Sequence, residues 1–415
     1  MTHVFIVASK GIPAKYGGFE TFVENLTKRK KSEDIYYHVS CMGEPIGHFK
    51  YNNADCFNVK VPLPGAPGRI FHVGLVLSYV EGWVKHKGLV QNQDVTDEVL
   101  SAEEKMEEEA DADQELKKSD KVIVYILGCR IGPLLKSHYK KLHKLGVKVF
   151  VNPDGLEWKR SKWSEPEKKF LKYCEKCLVE NSDLAICDSK TIEEYINDSY
   201  GDHVKNTTYI AYGADVTRST CSDDELNKWF SEHNVKSYDY YLIVGRFVPD
   251  NNYETMISEF IKSNTTKDLV IVTNVEKDKF YEELEETTHF EEDERVKFVG
   301  TVYEPELIKA IREKAFAYLH GHEVGGTNPS LLEALASTDV NLLYDIGFNH
   351  EVGEDSALYW TKEDGSLSSL IEKCDSEYAS AEKRKEMHEK GVARITGAFS
   401  WDFIVKSYES VFLSE

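Results

Sequence analysis

Four short stretches carry residues that can do chemistry together. The first is Gly325-Gly326-Thr327-Asn328-Pro329-Ser330. An apolar run, 315–319, precedes it and reads as a buried strand; a Leu-Leu-Glu-Ala-Leu-Ala run follows and reads as a helix. A strand, a glycine turn and a helix start aim backbone N–H groups at an anion. Thr327, Asn328 and Ser330 add side-chain donors, and Glu333 sets a carboxylate one turn into the helix, where it can accept from a sugar hydroxyl. The stretch reads as a nucleotide-diphosphate site. The second is Gly245-Arg246, at the end of an apolar run over 240–244. Its guanidinium is a permanently charged fork suited to a diphosphate, with a structural salt bridge as the alternative. The third is the long loop from Ser9 to Glu20, whose Gly17-Gly18 pair opens a helix. It lacks the spacing of a dinucleotide fingerprint. The fourth is Asn152-Pro153-Asp154-Gly155, after the strand pattern of 147–151. Asp154 suits a general base or a hydroxyl anchor, although Asp-Gly is also common turn chemistry.

The elements that must position these residues repeat one pattern. Short apolar runs at 3–8, 36–41, 56–61, 122–127, 147–151 and 184–187 predict strands, separated by helical stretches such as 70–86 and 191–199. The pattern restarts at 240–246, with strands at 269–273, 296–299 and 315–319 and helices at 253–262, 278–287 and 305–313. Alternation of this kind predicts parallel sheets, with ligands at the carboxyl ends of the strands. The expected fold class is α/β, with two Rossmann-like domains facing across a cleft. The domains are expected at 1–215 and 216–397, with 216–237 as a polar, helical and linker-like start to the second. The apolar segment 398–415 is expected to be a helix crossing back to the first domain.

A chain of 415 residues with 41% hydrophobic content has room for two such cores. The net charge of −21 argues against nucleic acid as a partner. Eleven acidic residues and one lysine fall between Asp94 and Glu115, so about half of that charge belongs to an insertion at about 89–118, read as a solvated excursion. From Trp158 to Lys176 the chain interleaves Trp158, Trp163, Phe170 and Tyr173 with lysines and Arg160. Such a segment suits an anionic membrane surface, or equally an ordinary solvated helix. Eight scattered cysteines read as incidental thiols of a reducing compartment. No secretion signal, membrane span, metal motif or cofactor motif is expected.

Taken together, Lys15-Tyr16-Gly17-Gly18-Phe19-Glu20-Thr21-Phe22, Asn152-Pro153-Asp154-Gly155, Gly245-Arg246-Phe247-Val248-Pro249 and Gly325 through Ala334 resemble GT-B glycosyltransferases of family 4. The resemblance is narrowest to rhamnosyltransferases of bacterial capsule and cell-wall polysaccharide assembly. It implies a retaining, metal-independent transfer, without cofactor, of L-rhamnose from dTDP-L-rhamnose to a polyprenyl-diphosphate-linked sugar. The site would be cytoplasmic, at the inner face of the membrane. It assigns catalysis to Asp154, Arg246 and Glu333. Gly17, Gly18, Asn251, Asn252, Gly325, Gly326, Thr327, Asn328, Ser330 and Leu331 would bind the donor; Phe19, Glu20 and Arg160 the acceptor. Two departures stand out: Gly325 occupies the place of a donor-facing glutamate, with Glu323 two residues too early, and Asn251 that of a diphosphate-binding lysine. A non-catalytic nucleotide-sugar-binding scaffold and a nucleotide-sugar isomerase or hydrolase are the alternatives.

Overall fold

The computed structural model describes residues 1–15, 17–61, 63, 65–87 and 120–414. The acidic stretch expected as an insertion at 89–118 lies outside the described residues. The chain divides into two compact units, Met1–Ala211 with Trp401–Glu415, and Tyr212–Ser400.

Among the described residues the first unit holds eight strands: β1 Thr2–Val7, β2 Ile35–Met42, β3 Gly47–Tyr51, β4 Ala54–Val59, β5 Lys121–Leu127, β6 Lys148–Asn152, β7 Leu184–Cys187 and β8 Thr207–Tyr209. Their order is β3-β4-β2-β1-β5-β6-β7-β8. Every neighbouring pair is parallel except β3 with β4. All six residues of β1 are buried, because helices cover both faces of a central parallel strand. On helix Gly65–His86 the residues Val73, Val76, Leu77, Val80 and Val84 recur at helical spacing and pack on Phe5, Val7 and Ile126.

Helix Trp401–Ser414 belongs to this unit. Tyr408 meets the ring of Phe22 at 4.9 Å, and Phe412 lies 6.4 Å from Tyr37, 5.9 Å from Tyr125 and 6.2 Å from Phe150. The Glu409 carboxylate accepts from the amides of Lys31 and Ser32 at 2.7 and 3.0 Å. Each fully buried aromatic contributes roughly 1.5–3 kcal/mol, so the returning helix is part of the first unit's core.

The second unit holds β9 Tyr240–Val244, β10 Asp268–Val272, β11 Val296–Phe298, β12 Ala317–His320, β13 Asn341–Tyr344 and β14 Leu358–Trp360, all parallel, in the order β11-β10-β9-β12-β13-β14. Strand alternation sends Tyr241 and Ile243 to one face, against Tyr253, Ile257 and Phe260, and Tyr240 and Leu242 to the other. That other face is covered by Leu226, Trp229 and Phe230 of helix Asp223–His233. The stretch expected as polar, helical and linker-like does hold a helix, and three apolar residues on one face seat that helix on the core. Among the described residues, no helix is long and apolar enough to cross a membrane.

Candidate functional site

Strand order decides which loops are neighbours. In the second unit the chain runs outward from β9 to β10 and β11, then returns to place β12 on the other side of β9. The loops leaving β9 and β12 therefore flank the switch point, where open α/β sheets bind ligands. They carry Gly245-Arg246 and the glycine turn.

These two loops are laced together. Asn251 donates from Nδ2 to the Arg246 carbonyl at 2.7 Å, and its Oδ1 meets Nδ1 of His322 at 2.9 Å. Asn252, in the left-handed conformation at φ 55°, donates to the Gly321 carbonyl at 2.7 Å. The amide of Glu323 donates to the Asp250 carbonyl at 3.0 Å. A Cβ on Gly325 would lie 2.9 Å from Nε2 of His322, and φ is 150° there, so glycine is required for the turn to close on the ring. His322 is buried among Asn251, Phe348 and His320.

Arg246 is exposed and makes no ion pair with any described residue, which removes the salt-bridge alternative. The amides of Gly325 and Gly326 likewise form no hydrogen bond to a described group, and Thr327 is buried beside them. The helix Pro329–Ser337 differs from expectation. Asn328 caps it by accepting from the Ser330 amide at 2.9 Å, and its carbonyl takes the amides of Leu331 and Leu332. Pro329 has no N–H. The unbonded amides are thus those of the glycine turn, and the first amides of the helix are already bonded. Ser330 turns its hydroxyl to the Val244 carbonyl at 3.0 Å, where the Tyr318 hydroxyl also donates at 3.1 Å, and Leu331 is fully buried. Ser330 and Leu331 shape the turn instead of offering donors to a ligand, whereas Asn328 caps with Oδ1 and its Nδ2 has no hydrogen-bond partner among the described residues.

Glu333 is half exposed, and its Oε2 is held by Nη2 of buried Arg312 at 2.7 Å. Arg312 carries no local sequence signal of this role; it lies on helix Pro305–Glu313, ahead of β12. Glu323 pairs with Lys362 at 2.6 Å. That ion pair, and a Gly325 that has no room for a side chain, leave the place of the missing carboxylate unfilled by Glu323.

The first unit has its own switch point, between β1 and β5. Gly17 takes φ 128°, and a Cβ there would strike Oε2 of Glu20. Glu20 is buried and accepts the Lys10 amide at 2.7 Å, so its carboxylate braces the loop instead of facing an acceptor. Gly18 is exposed with open space around it, and the half-buried ring of Phe19 lies 3.5 Å from where a Cβ on Gly128 would sit. The amide of Gly128 donates to the Asn152 carbonyl at 2.9 Å, joining this loop to the Asn152–Gly155 turn.

Asp154 adopts φ 65° and accepts the Gly155 amide at 2.8 Å, while its own amide donates to Asn152 Oδ1 at 2.8 Å. Both hydrogen bonds are turn chemistry. Burial raises its pKa, partly offset by Arg160. Arg160 is buried and pairs with Glu157, which also binds Arg130 at 2.7 Å and Lys162 at 3.0 Å. Burial pushes the Glu157 carboxyl up, but the three cations outweigh it and hold it at about 2. No group of three or more metal-ligating side chains forms among the described residues.

Residues 1–92 and 84–215 match the family described as a domain of unknown function, DUF1972, together slightly over half of the sequence. The chain belongs to this family. The matched region carries the first unit's switch-point loops and the Glu157 cluster. No curated protein matches. Among solved structures, sucrose-phosphate synthase from Thermosynechococcus elongatus is 14% identical with a TM-score of 0.70, covering 100% of both chains. HepE of Anabaena, solved with UDP and glucose, is 13% identical with a TM-score of 0.68 over 100% of both. A glycosyltransferase from Rickettsia africae is 12% identical with a TM-score of 0.68, covering 99% of this chain and 97% of its own. At such identities the likeness establishes the fold, which is GT-B.

Proposed function

We propose that this DUF1972 chain is a retaining, metal-independent glycosyltransferase whose second unit holds a nucleotide sugar. The observation that carries this reading is the exposed, unpaired Arg246 at the end of β9, laced through Asn251 and His322 to the glycine turn after β12. A guanidinium and free amides on either side of a switch point suit a diphosphate, and HepE, of the same fold, was solved with UDP. The motif resemblance narrows the donor to dTDP-L-rhamnose and the acceptor to a polyprenyl-diphosphate-linked sugar.

In the reaction the bond from sugar C1 to the phosphate oxygen breaks, and its electron pair stays on the departing diphosphate. Arg246 and the amides of Gly325 and Gly326 neutralise that charge as it develops. The acceptor hydroxyl forms the new bond to C1 on the same face, and its proton passes to the departing phosphate oxygen. Oε1 of Glu333 accepts from a hydroxyl of the nucleotide's sugar, and Asp154 orients the acceptor.

Peripheral attachment to the inner face of the membrane is supported by helix Glu165–Glu180. Phe170 and Tyr173 are each 52% exposed and stand among exposed Lys169, Lys172 and Lys176. Aromatic rings interleaved with lysines suit an anionic lipid surface. Trp158 and Trp163 are not part of that face: their indoles donate to Tyr195 and Glu157.

The test mixes the protein with dTDP-L-rhamnose and a prenyl-diphosphate-linked glucose and looks for a disaccharide, beside calorimetry with dTDP, UDP and GDP. Transfer of rhamnose supports the full reading. Binding without turnover for every nucleotide sugar would replace it with a scaffold.

A further inference from the structure

At the carboxyl ends of β5 and β6, one buried carboxylate gathers three cations. Glu157 is 4% exposed. Its Oε1 accepts from Arg130 Nη2 at 2.7 Å, Lys162 Nζ at 3.0 Å and Trp163 Nε1 at 3.2 Å, and its Oε2 pairs with Arg160. Arg130 and Lys162 also lie over the Trp163 ring, at 5.3 and 4.8 Å. A second carboxylate, Asp154, feels the field of Arg160, Glu157 and Arg130. Counting both carboxylates as ionised, the cluster is still positive.

A buried acid needs one cation to be neutralised, and each further cation held nearby adds repulsion unless an anion shares it. Arg130 has five N–H donors and uses one on Glu157; Lys162 has three and uses one. Both side chains are partly exposed, at 34% and 45%. Glu157 therefore fixes Arg130 and Lys162 in place while most of their donors have no hydrogen-bond partner among the described residues. Phosphate oxygens match such a preset fork-and-point arrangement. The cluster joins the first unit's switch point through Gly128 and Asn152, and is followed directly by the helix exposing Phe170 and Tyr173.

We propose that Arg130, Lys162 and Arg160, set by Glu157, form a diphosphate-binding subsite for the acceptor. This rests on the reading that the first unit takes a phosphate-bearing acceptor, with Phe170 and Tyr173 as apolar ground for its prenyl chain. The same chemistry is offered by a free diphosphate or by one carried on a membrane.

The probe is inorganic pyrophosphate, titrated calorimetrically into the Arg246→Ala protein with UDP saturating, so that the second unit's site does not contribute. Arg130→Gln and Lys162→Gln are each expected to weaken binding about tenfold, and the pair more. Lys140→Gln, an exposed lysine of helix Gly132–Lys144, should change nothing. A second arm uses neutral vesicles doped with prenyl diphosphate, against vesicles of equal charge made with phosphatidylserine. Preference for prenyl diphosphate, lost in Lys162→Gln and competed by pyrophosphate, identifies a membrane-borne diphosphate as the ligand. Pyrophosphate binding without preference between the vesicles identifies a soluble diphosphate. Undiminished pyrophosphate binding in the double variant, or a loss matched by Lys140→Gln, overturns the subsite. UDP binding to the otherwise unaltered Lys162→Gln protein reports that it is folded. Should no nucleotide sugar support transfer while Arg130-dependent pyrophosphate binding persists, the glycosyltransferase reading falls and the subsite stands.

Discussion

Nδ1 of His322 lies 2.9 Å from Oδ1 of Asn251, whose Nδ2 reaches the carbonyl of Arg246 at 2.7 Å. The direction of this chain is fixed. A carbonyl only accepts, so Asn251 presents its amide nitrogen to Arg246 and its oxygen to His322, and Nδ1 carries the proton. His322 is a positioning residue, acting on Arg246 through the loop that holds it.

That geometry predicts which substitution at 322 is tolerated. The side-chain nitrogen of Asn reproduces Nδ1, whereas that of Gln reproduces Nε2. His322→Asn should keep UDP or dTDP affinity close to the native value. His322→Gln and His322→Ala should weaken it by about three- to tenfold, the worth of one net hydrogen bond. Calorimetry decides it; rescue by Gln and not by Asn would show that Nε2 is the working atom.

Arg246→Ala should lower the rate of transfer by about two to three orders of magnitude without loss of fold, since the guanidinium is exposed and unpaired. Arg246→Lys should restore only part, because an ammonium is not a fork. Single-turnover rates beside a thermal melt make the comparison, and an unchanged rate removes Arg246 from the mechanism.

Stability should fall on mild acidification. Burial lowers the pKa of His320 from 6.5 to about 3, and burial with the neighbouring His38 lowers that of His3 to about 4. Below the unfolded value of 6.5 the unfolded chain takes up protons that the folded chain refuses, so stability is complete above that pH and drains away beneath it. Each histidine contributes a slope of roughly 1.4 kcal/mol per pH unit. Urea midpoints at about pH 7.5, 6 and 5 measure it, and His320→Gln should flatten the curve.

The returning helix should matter to the first unit although it is last in the chain. Phe412 is fully buried against Tyr37, Tyr125 and Phe150, so Phe412→Ala should cost about 3–5 kcal/mol. Hydrogen exchange resolves where the loss falls. Lost protection in β1, β5 and β6 with β9 and β12 unaffected is the expected result.

The sequence alone determined the α/β class, most strands, the restart of the pattern at Tyr240 and the four loops that carry polar chemistry. These are local signals: an apolar run, a glycine pair and a helix former lie within one stretch of chain. Short or edge strands escaped, since β3 is only half buried and β13 and β14 have too few residues to show a period. Which loops adjoin was a matter of packing in three dimensions. Strand order set Gly245-Arg246 beside the glycine turn, and Glu157 brought together Arg130, Arg160 and Lys162. It also decided what each polar group does. Asn328, Ser330 and Glu20 turned inward to cap and brace, while Arg246 stayed open. A side chain's type is written in the sequence, but its hydrogen-bond partner is supplied by whatever the fold packs against it.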